Sequence, residues 1–490
     1  MRRSRRPRRK DRPERAALPE EVPVDGSRRR EAAGPEAETT IVAPATPEGV
    51  GAIAILRLSG PRAFPIASAL TGLAVASLPP RTLTRCAVRD ASGEEIDSGL
   101  VACFPAPASF TGEDLAEIHL HGSPVLVEQA ADAACALGAV PAAPGEFSRR
   151  AFLNGKIDLT QAEGLADLIA ARTEGAARAA LRQLRGGIGR AVAPLRDRML
   201  SLLSLLEASI DFSDDEDIPP PPRQQLIDNI KDVGSAVGRL RDSFARGRLY
   251  REGASVAIAG VANVGKSSLL NRLLGEERAI VTEIPGTTRD YLSGEISLSG
   301  VPVRLVDTAG LRPTEDPVER EGVRRSREIV AESDLVLFLL DASRPAHAGD
   351  EGAYREVARR PHLLLRNKCD LPPAESGERF AGPGRAGIVS LSAKTGEGID
   401  DLLGRMAAEL ASQAGDILAE AMLTRMRHAE AAGKAGEALR RAAEAAEAGM
   451  PEECVAADLR DASRALAELT GEIAPEEILE TIFSSFCIGK

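Results

Sequence analysis

Short β-branched apolar runs, TIVA from Thr40, GAIAILRL from Gly51, DSGLVACF from Asp97 and AEIHLH from Ala116, punctuate the chain up to about Val140, with Gly and Pro between them. Runs of that length and alternation predict strands, and the module they build is α+β or barrel-like. From Leu159 the apolar spacing becomes helical, in LTQAEGLADLIAARTEGAARAALRQL, and continues past Leu206. The break DFSDDEDIPPPP from Asp211 ends one helix, and another starts at about Arg223. Its acidic cluster reads as a solvated loop rather than a metal site.

From about Gly253 to Ala411 strand-length runs alternate with helical stretches, the pattern of a parallel-sheet nucleotide domain. Helices then resume in MLTRMRHAEAAGKAGEALRRAAEAAEAG from Met422, VAADLRDASRALAELTG from Val455 and EEILETIFSSF from Glu476. Helical segments on both flanks of a closed α/β unit predict that the unit is inserted into one discontinuous helical domain. The expected fold is multidomain α/β plus α: a tail at 1–39, an α+β domain at 40–156, helices at 157–252, the inserted domain at 253–411 and helices at 412–490. No internal repeat is visible.

Length and composition agree, since 490 residues at 43% hydrophobic content can bury two to four cores. The longest apolar runs, such as LVLFLLD from Leu335, fall far short of the roughly 20 residues that span a bilayer. No membrane span is expected. Charge changes the picture at the start of the chain, where MRRSRRPRRKDRPERA holds nine basic and two acidic residues and no apolar core of a secretory signal. That arm reads as a disordered, solvated tail or an over-extended gene start, although RNA phosphates could contact it. Through Thr40 the balance is +4, which leaves −15 for the body of a chain whose net charge is −11. Any RNA contact in the body must therefore use a local patch.

Six cysteines, at 86, 103, 135, 369, 454 and 487, form no CxxC pair and have no His at zinc-ligand spacing. A reduced, cytoplasmic chain without structural metal is expected. His119 and His121 stand at i and i+2 on a predicted strand and share a face, as part of a ligand site or simply packed.

The chemistry concentrates in four segments. GVANVGKS from Gly260 follows the apolar run Ala254 to Ala259 and precedes SLLNRLLG, the strand–loop–helix context a P-loop requires. Backbone N–H groups of Asn263, Val264, Gly265 and Ser268 can then cradle phosphate oxygens. Lys266 supplies charge to the β- and γ-phosphates, and the Ser267 hydroxyl suits Mg²⁺. TTRD follows from Thr287. DTAG from Asp307, after the strand-like VPVRLV, puts a carboxylate at a strand end for the magnesium shell. Thr308, Ala309 and Gly310 continue it, with Gly310 leaving room for a γ-phosphate contact. NKCD reads the base: Asp370 accepts from guanine N1 and the exocyclic amine, while Asn367 and the Lys368 stem brace the ring. Adenine would leave that carboxylate unpaired. Ser392, Ala393 and Lys394, after GIVSL, complete the pocket. Together the four segments predict a GTP-binding switch.

TIVAPATPEGVGAIAILRLSG, FTGEDLAEIHLHG, PGEFSRRAFLNGKIDLTQAE, the nucleotide set and the closing FCIGK together resemble the MnmE (TrmE) family of tRNA-modification GTPases, within the TrmE-Era-EngA-like GTPases. The resemblance runs from Thr40 to Lys490. It implies a Ras-like GTPase domain inserted in the helical domain, behind a folate-binding domain that makes a homodimer. It also implies an MnmG-type flavoprotein partner in a heterotetramer, tRNA as substrate, and a tetrahydrofolate derivative as source of the one-carbon unit. The product is carboxymethylaminomethyl at C5 of the wobble uridine when glycine supplies the amine.

Matched motif by motif, Arg57, Glu117 and Lys156 fall where the family contacts folate, and Lys490 with Cys487 lies in the segment that approaches it. Without the resemblance these read as surface charges, and Cys487 reads equally as a thiolate or a packing cysteine. Leu311 stands after DTAG where small GTPases place a water-orienting Gln. Glu319 matches the family's catalytic acid, although by itself it is an acid at a helix start. The family binds K⁺ when two GTPase domains meet, here through Asn263, Thr282, Ile284 and Thr287, and Thr288 joins Ser267 on Mg²⁺. Glu283, Pro285 and Gly286 belong to the same nucleotide-contacting loop. Ala262, Ser123, Pro313 and Pro317 depart from the family pattern without removing a charged or coordinating group. The rival reading is a GTPase that assists ribosome assembly and performs no modification chemistry.

Overall fold

The computed structural model describes residues 39–211, 222–275, 293–308, 317–374, 380–414 and 421–490. The chain divides into two compact units, one running through Lys156 and including Cys487–Lys490, the other Ile157–Phe486.

In the first unit, β1 (Ile41–Pro44), β2 (Ile53–Ser59), α1 (Ala63–Thr71), β3 (Thr84–Arg89), β4 (Glu95–Phe104), β5 (Leu115–His121), α2 (Pro124–Ala136), β6 (Val140–Pro141) and α3 (Glu146–Leu153) follow in order. The strands form one open sheet, β3-β4-β5-β2-β1-β6, so the domain is α+β rather than a closed barrel. Neighbours are antiparallel except β1 and β6. Alternation along β2 and β5 turns Leu56, Leu58, Ile118 and Leu120 toward a core shared with α1 and α2. The intervening Arg57, Glu117 and His119 therefore rise from the opposite face.

The second unit opens with α4 (Leu159–Ala170), α5 (Glu174–Leu184), α6 (Gly187–Asp211), α7 (Arg223–Asp242) and α8 (Phe244–Glu252). Asp158 caps α4 in a reciprocal box with Gln161, which sets the helix start where the periodicity changes. A parallel sheet follows: β7 (Ala254–Ala259), α9 (Lys266–Leu274), β8 (Ser293–Leu298), β9 (Val301–Asp307), α10 (Pro317–Glu332), β10 (Leu335–Asp341), α11 (Ala348–Val357), β11 (His362–Asn367), β12 (Arg385–Ser390) and α12 (Ile399–Ala414). Its order is β12-β11-β10-β7-β9-β8, with only β8 antiparallel. The run Leu335 to Leu340 is buried along its whole length, as a central strand covered on both faces must be.

Beyond it lie α13 (Met426–Ala448), α14 (Glu452–Thr470) and α15 (Glu476–Ser484). One core joins Ile188, Leu206 and Ile230 from before the sheet to Leu439, Leu459 and Leu466 from after it, so the helical domain is continuous in space and interrupted in sequence. Alanines at 431, 435, 438 and 442 of α13 are buried and let its neighbours approach closely. Where the chain re-enters the helices, Glu163 of α4 and His428 of α13 are both buried, with His428 Nε2 at 2.6 Å from Glu163 Oε2 and Arg427 Nη2 at 3.0 Å. Asp167, one turn further along α4, takes Arg251 from the arm entering the sheet and Arg425 from the arm leaving it. No described helix is long and apolar enough to cross a membrane.

Candidate functional site

The buried strand β7 drives straight into the loop Gly260 to Gly265, and α9 begins at Lys266. Two glycines make that turn feasible. A Cβ at Gly260 would stand 2.7 Å from the Leu339 carbonyl, and one at Gly265 2.3 Å from Asn367 Nδ2. Asn263, at the loop's exposed tip, adopts φ 63. Val264 is buried in the core, while Ser267 and Ser268 are exposed.

Lys266 folds back on its own loop, donating from Nζ to the carbonyls of Gly260 at 3.2 Å and Val261 at 3.0 Å. Burial pushes its ammonium below the usual lysine value, and Asp307 pulls the other way. Ser267 donates to Asp307 Oδ2 at 2.6 Å. Asp307 Oδ1 is buried and has no hydrogen-bond partner among the described residues. An unsatisfied carboxylate oxygen beside a hydroxyl, at the phosphate end of a P-loop, is a donor set that fits a hard divalent cation such as Mg²⁺. Thr308 turns inward instead: its N–H and hydroxyl both donate to the Ile258 carbonyl, which pins this loop to β7.

The end expected to read the base is held by Asn367. Its Nδ2 donates to the Val264 carbonyl at 2.7 Å, and its Oδ1 accepts from the Ala393 N–H at 2.9 Å. Its side chain thus ties the P-loop to the Ser392–Lys394 loop. Asp370 is exposed and accepts from Ser392 Oγ at 2.6 Å through Oδ1. Lys368, at φ 68, places Nζ 2.6 Å from Asp341 Oδ2. Burial works against the Asp341 carboxylate, but hydrogen bonds from Lys368 and Ser343 outweigh it and hold its pKa below the ordinary value. Asp341 and Arg272 escape sequence reasoning. Arg272 donates to the carbonyls of Ala393 at 3.3 Å and Lys394 at 2.5 Å, and no motif marks it. Thr282, Glu283, Ile284, Pro285, Gly286, Thr287, Thr288, Ala309, Gly310 and Leu311 lie outside the described residues. The backbone of Glu319 belongs to the first turn of α10, which Pro317 opens; its side chain is likewise outside them.

A second constellation lies in the first unit. Arg57 on β2 stands in register with Glu117 on β5, and its Nε and Nη2 reach Glu117 Oε1 at 3.0 and 2.8 Å. Its Nη1 donates to the Gly489 carbonyl at 3.3 Å, and the guanidinium lies 5.7 Å from the Phe147 ring centroid. A cavity of ≈ 420 Å³ opens beside this pair, lined by Arg57, Arg81, Phe104, Phe110, Glu117 and Lys156 among others. Three cations, one carboxylate and two aromatic rings suit a flat heteroaromatic ligand with an anionic tail. Arg81 and Phe104 carry no motif that would have singled them out, and Phe110 opens FTGEDLAEIHLHG without being marked as a pocket residue.

Lys490 is not among the residues lining this cavity; its N–H donates to Cys487, which is exposed and whose carbonyl also receives Gly145 N–H at 3.5 Å. His119 and His121 do share a face but not a ligand set. His121 Nδ1 is 2.7 Å from Asp97, whereas His119 Nε2 is buried, lacks a hydrogen-bond partner among the described residues and lies 3.8 Å from Glu117. All six cysteines are free, and no cluster of metal-ligating side chains occurs among the described residues.

Two family models match the chain: "GTP-binding protein TrmE N-terminus" over residues 40–156 and "MnmE helical domain" over 159–487. Proteins named tRNA modification GTPase MnmE are similar to it over nearly their whole length. That of Halorhodospira halophila is 45% identical over 457 residues, covering 92% of this chain and 96% of that protein. That of Aquifex aeolicus is 44% identical, covering 92% and 99%, and that of Methylorubrum populi 46% identical, covering 93% and 99%.

Proposed function

The chain belongs to the MnmE family of tRNA modification GTPases, and from that premise we propose that it couples GTP hydrolysis to building a C5 substituent on the wobble uridine of tRNA. The observation that carries this reading is the cavity beside Arg57 and Glu117. A GTPase that only assists ribosome assembly has no use for a cation-rich, aromatic-walled pocket in a separate unit. In this reading Glu117 accepts from the N–H donors of a pterin ring, and Arg57, Lys156 and Arg81 hold the carbonyl and carboxylates of a tetrahydrofolate derivative, with Lys490 near its edge. That ligand supplies the one-carbon unit, an MnmG-type flavoprotein joins a homodimer of this chain, and glycine gives carboxymethylaminomethyl uridine.

The nucleotide site does the timing. Lys266 exchanges its two backbone carbonyls for β- and γ-phosphate oxygens, Ser267 and Asp307 with Thr288 hold Mg²⁺, and Asp370 with Ser392 selects guanine. Leu311 cannot orient water, so that role passes to Glu319. Asn263, Thr282, Ile284 and Thr287 gather K⁺ when two GTPase domains meet.

Two measurements test the reading. Nucleosides of tRNA from cells lacking this gene should lose the C5-modified wobble uridine and regain it on complementation. Calorimetry on the full chain should detect a formyl-tetrahydrofolate analogue and show at least roughly tenfold weaker binding for Arg57→Ala, as removal of a charge-assisted hydrogen bond requires. Modification that survives deletion of the gene, together with no folate binding, would hand the protein to the ribosome-assembly reading.

A further inference from the structure

Between Arg178 and Arg198 the chain carries six arginines and one aspartate, in a molecule of net charge −11. Arg178 pairs with Glu174, Arg196 pairs with Glu472, and Arg198 lies 3.5 Å from Asp232. Arg182, Arg185 and Arg190 gather at the corner where α5 gives way to α6. Arg182 and Arg190 line a cavity of ≈ 240 Å³ with Gln183, Ile188, Met422 and Thr424, and no carboxylate among the described residues lines it. Arg190 reaches the Arg185 carbonyl through Nη1, which holds these two residues together. Both are exposed, and neither has a carboxylate partner among the described residues.

The polar walls are otherwise satisfied. Thr424 Oγ1 donates to Gln183 Oε1 at 2.8 Å, and Gln183 Nε2 donates to the Thr160 carbonyl at 2.8 Å. The exposed cations left at this corner are Arg185 and Arg190, with the Asp158 carboxylate beside Gly189. Gly186, at φ 75, and Gly187 present no side chain at the corner, and the Asp158 carboxylate lies 2.9 Å from where a Cβ on Gly189 would stand. Guanidinium groups bind phosphate in a forked geometry, and a basic patch on an acidic body raises the local concentration of polyanions.

The geometry points to the α5–α6 corner as a seat for phosphates of the RNA backbone, with Arg182, Arg185 and Arg190 as its cations. The inference rests on the tRNA-modifying reading above. Interactions of this kind fix orientation without reading bases, so the corner positions tRNA and leaves recognition of the uridine to other groups.

The test compares full-length wild type with R185Q/R190Q, alone and combined with R182Q, for tRNA binding across a salt series. Each phosphate that is no longer neutralised should flatten the dependence of log K on log[salt] by roughly 0.7–0.9, hence by about 1.5 for the double variant. Basal GTP turnover should stay unchanged, and R460Q, whose arginine pairs with Glu207, should leave the slope alone. A double variant with the wild-type slope and affinity overturns the inference while sparing the reading beneath it. Retained tRNA binding without flavoprotein association makes the corner a protein surface. Retained tRNA binding without binding of inorganic phosphate makes it a small-anion site; both outcomes overturn the RNA assignment. Failure of the wild type to bind tRNA removes the tRNA-modifying reading and this inference with it.

Discussion

Asn367 shows how a residue can be legible in sequence by type and not by action. The NKCD motif marks it as part of the guanine pocket, yet its amide is engaged by Val264 and Ala393, so its work is to hold two loops in register. The motif says which residue stands there; only the fold says what it touches. Glu163 is the opposite case, invisible in an Ala-rich helical stretch because its partners lie 264 and 265 positions away. Burial opposes its ionisation, but the His428 ring and the Arg427 guanidinium outweigh burial and pull the carboxyl down to about 2. Burial pushes His428 below its ordinary value as well, while Glu163 pulls the other way, and its Nδ1 has no hydrogen-bond partner among the described residues. Glu163→Gln strands Arg427 without a counter-charge and should cost about 3 kcal/mol in denaturant titrations of the full chain. Since the folded-state carboxyl is depressed from 4.5, its contribution is present in full above that value and is lost as pH falls through about 2. The gap between wild type and variant should therefore close across that window, and a gap independent of pH would refute the charged state assigned here.

At the scale of elements, the β8–β9 hairpin is seated on the start of α5. Thr173 Oγ1 donates to the Gly300 carbonyl at 2.7 Å, and Arg172 places both oxygens of Glu295 within 2.8 Å. Gly175 permits the approach, because a Cβ there would stand 2.3 Å from the Gly300 carbonyl. The far end of β9 carries Asp307, so the helices grip the strand that presents the carboxylate proposed to hold Mg²⁺. Gly175→Ala must push the hairpin away, at about 1–3 kcal/mol for overpacking against backbone. Expected results are a lower Tm and weaker Mg²⁺-dependent GTP binding; normal values of both would mean the hairpin is not held by this approach. Strands β7, β9 and β10 are legible from their apolar runs, β10 burying both faces as a central parallel strand does, whereas the polar edge strand β8 is not. The seating of the hairpin is not, because a glycine packed on a backbone carbonyl leaves no side-chain pattern.

For the whole molecule, the insertion is readable because helical periodicity stops at Gly253 and resumes beyond Ala411, and the helical core does join the two flanks. Less legible is how the switch is completed, since the expected potassium ligands cluster at Asn263 and in residues 282–287. Turnover should rise sharply when potassium replaces sodium, and equal rates in the two salts would remove the cation from the account. The hydrogen bond from Arg57 to Gly489 has a consequence of a different kind. It joins residues 432 positions apart in sequence yet within one compact unit. A ribosome makes Arg57 early and Gly489 only after every helix and strand between them, so this hydrogen bond cannot form until nearly the whole chain has been made. A chain stopped short of Gly489 can hold every strand of the nucleotide sheet while Arg57 still lacks this acceptor.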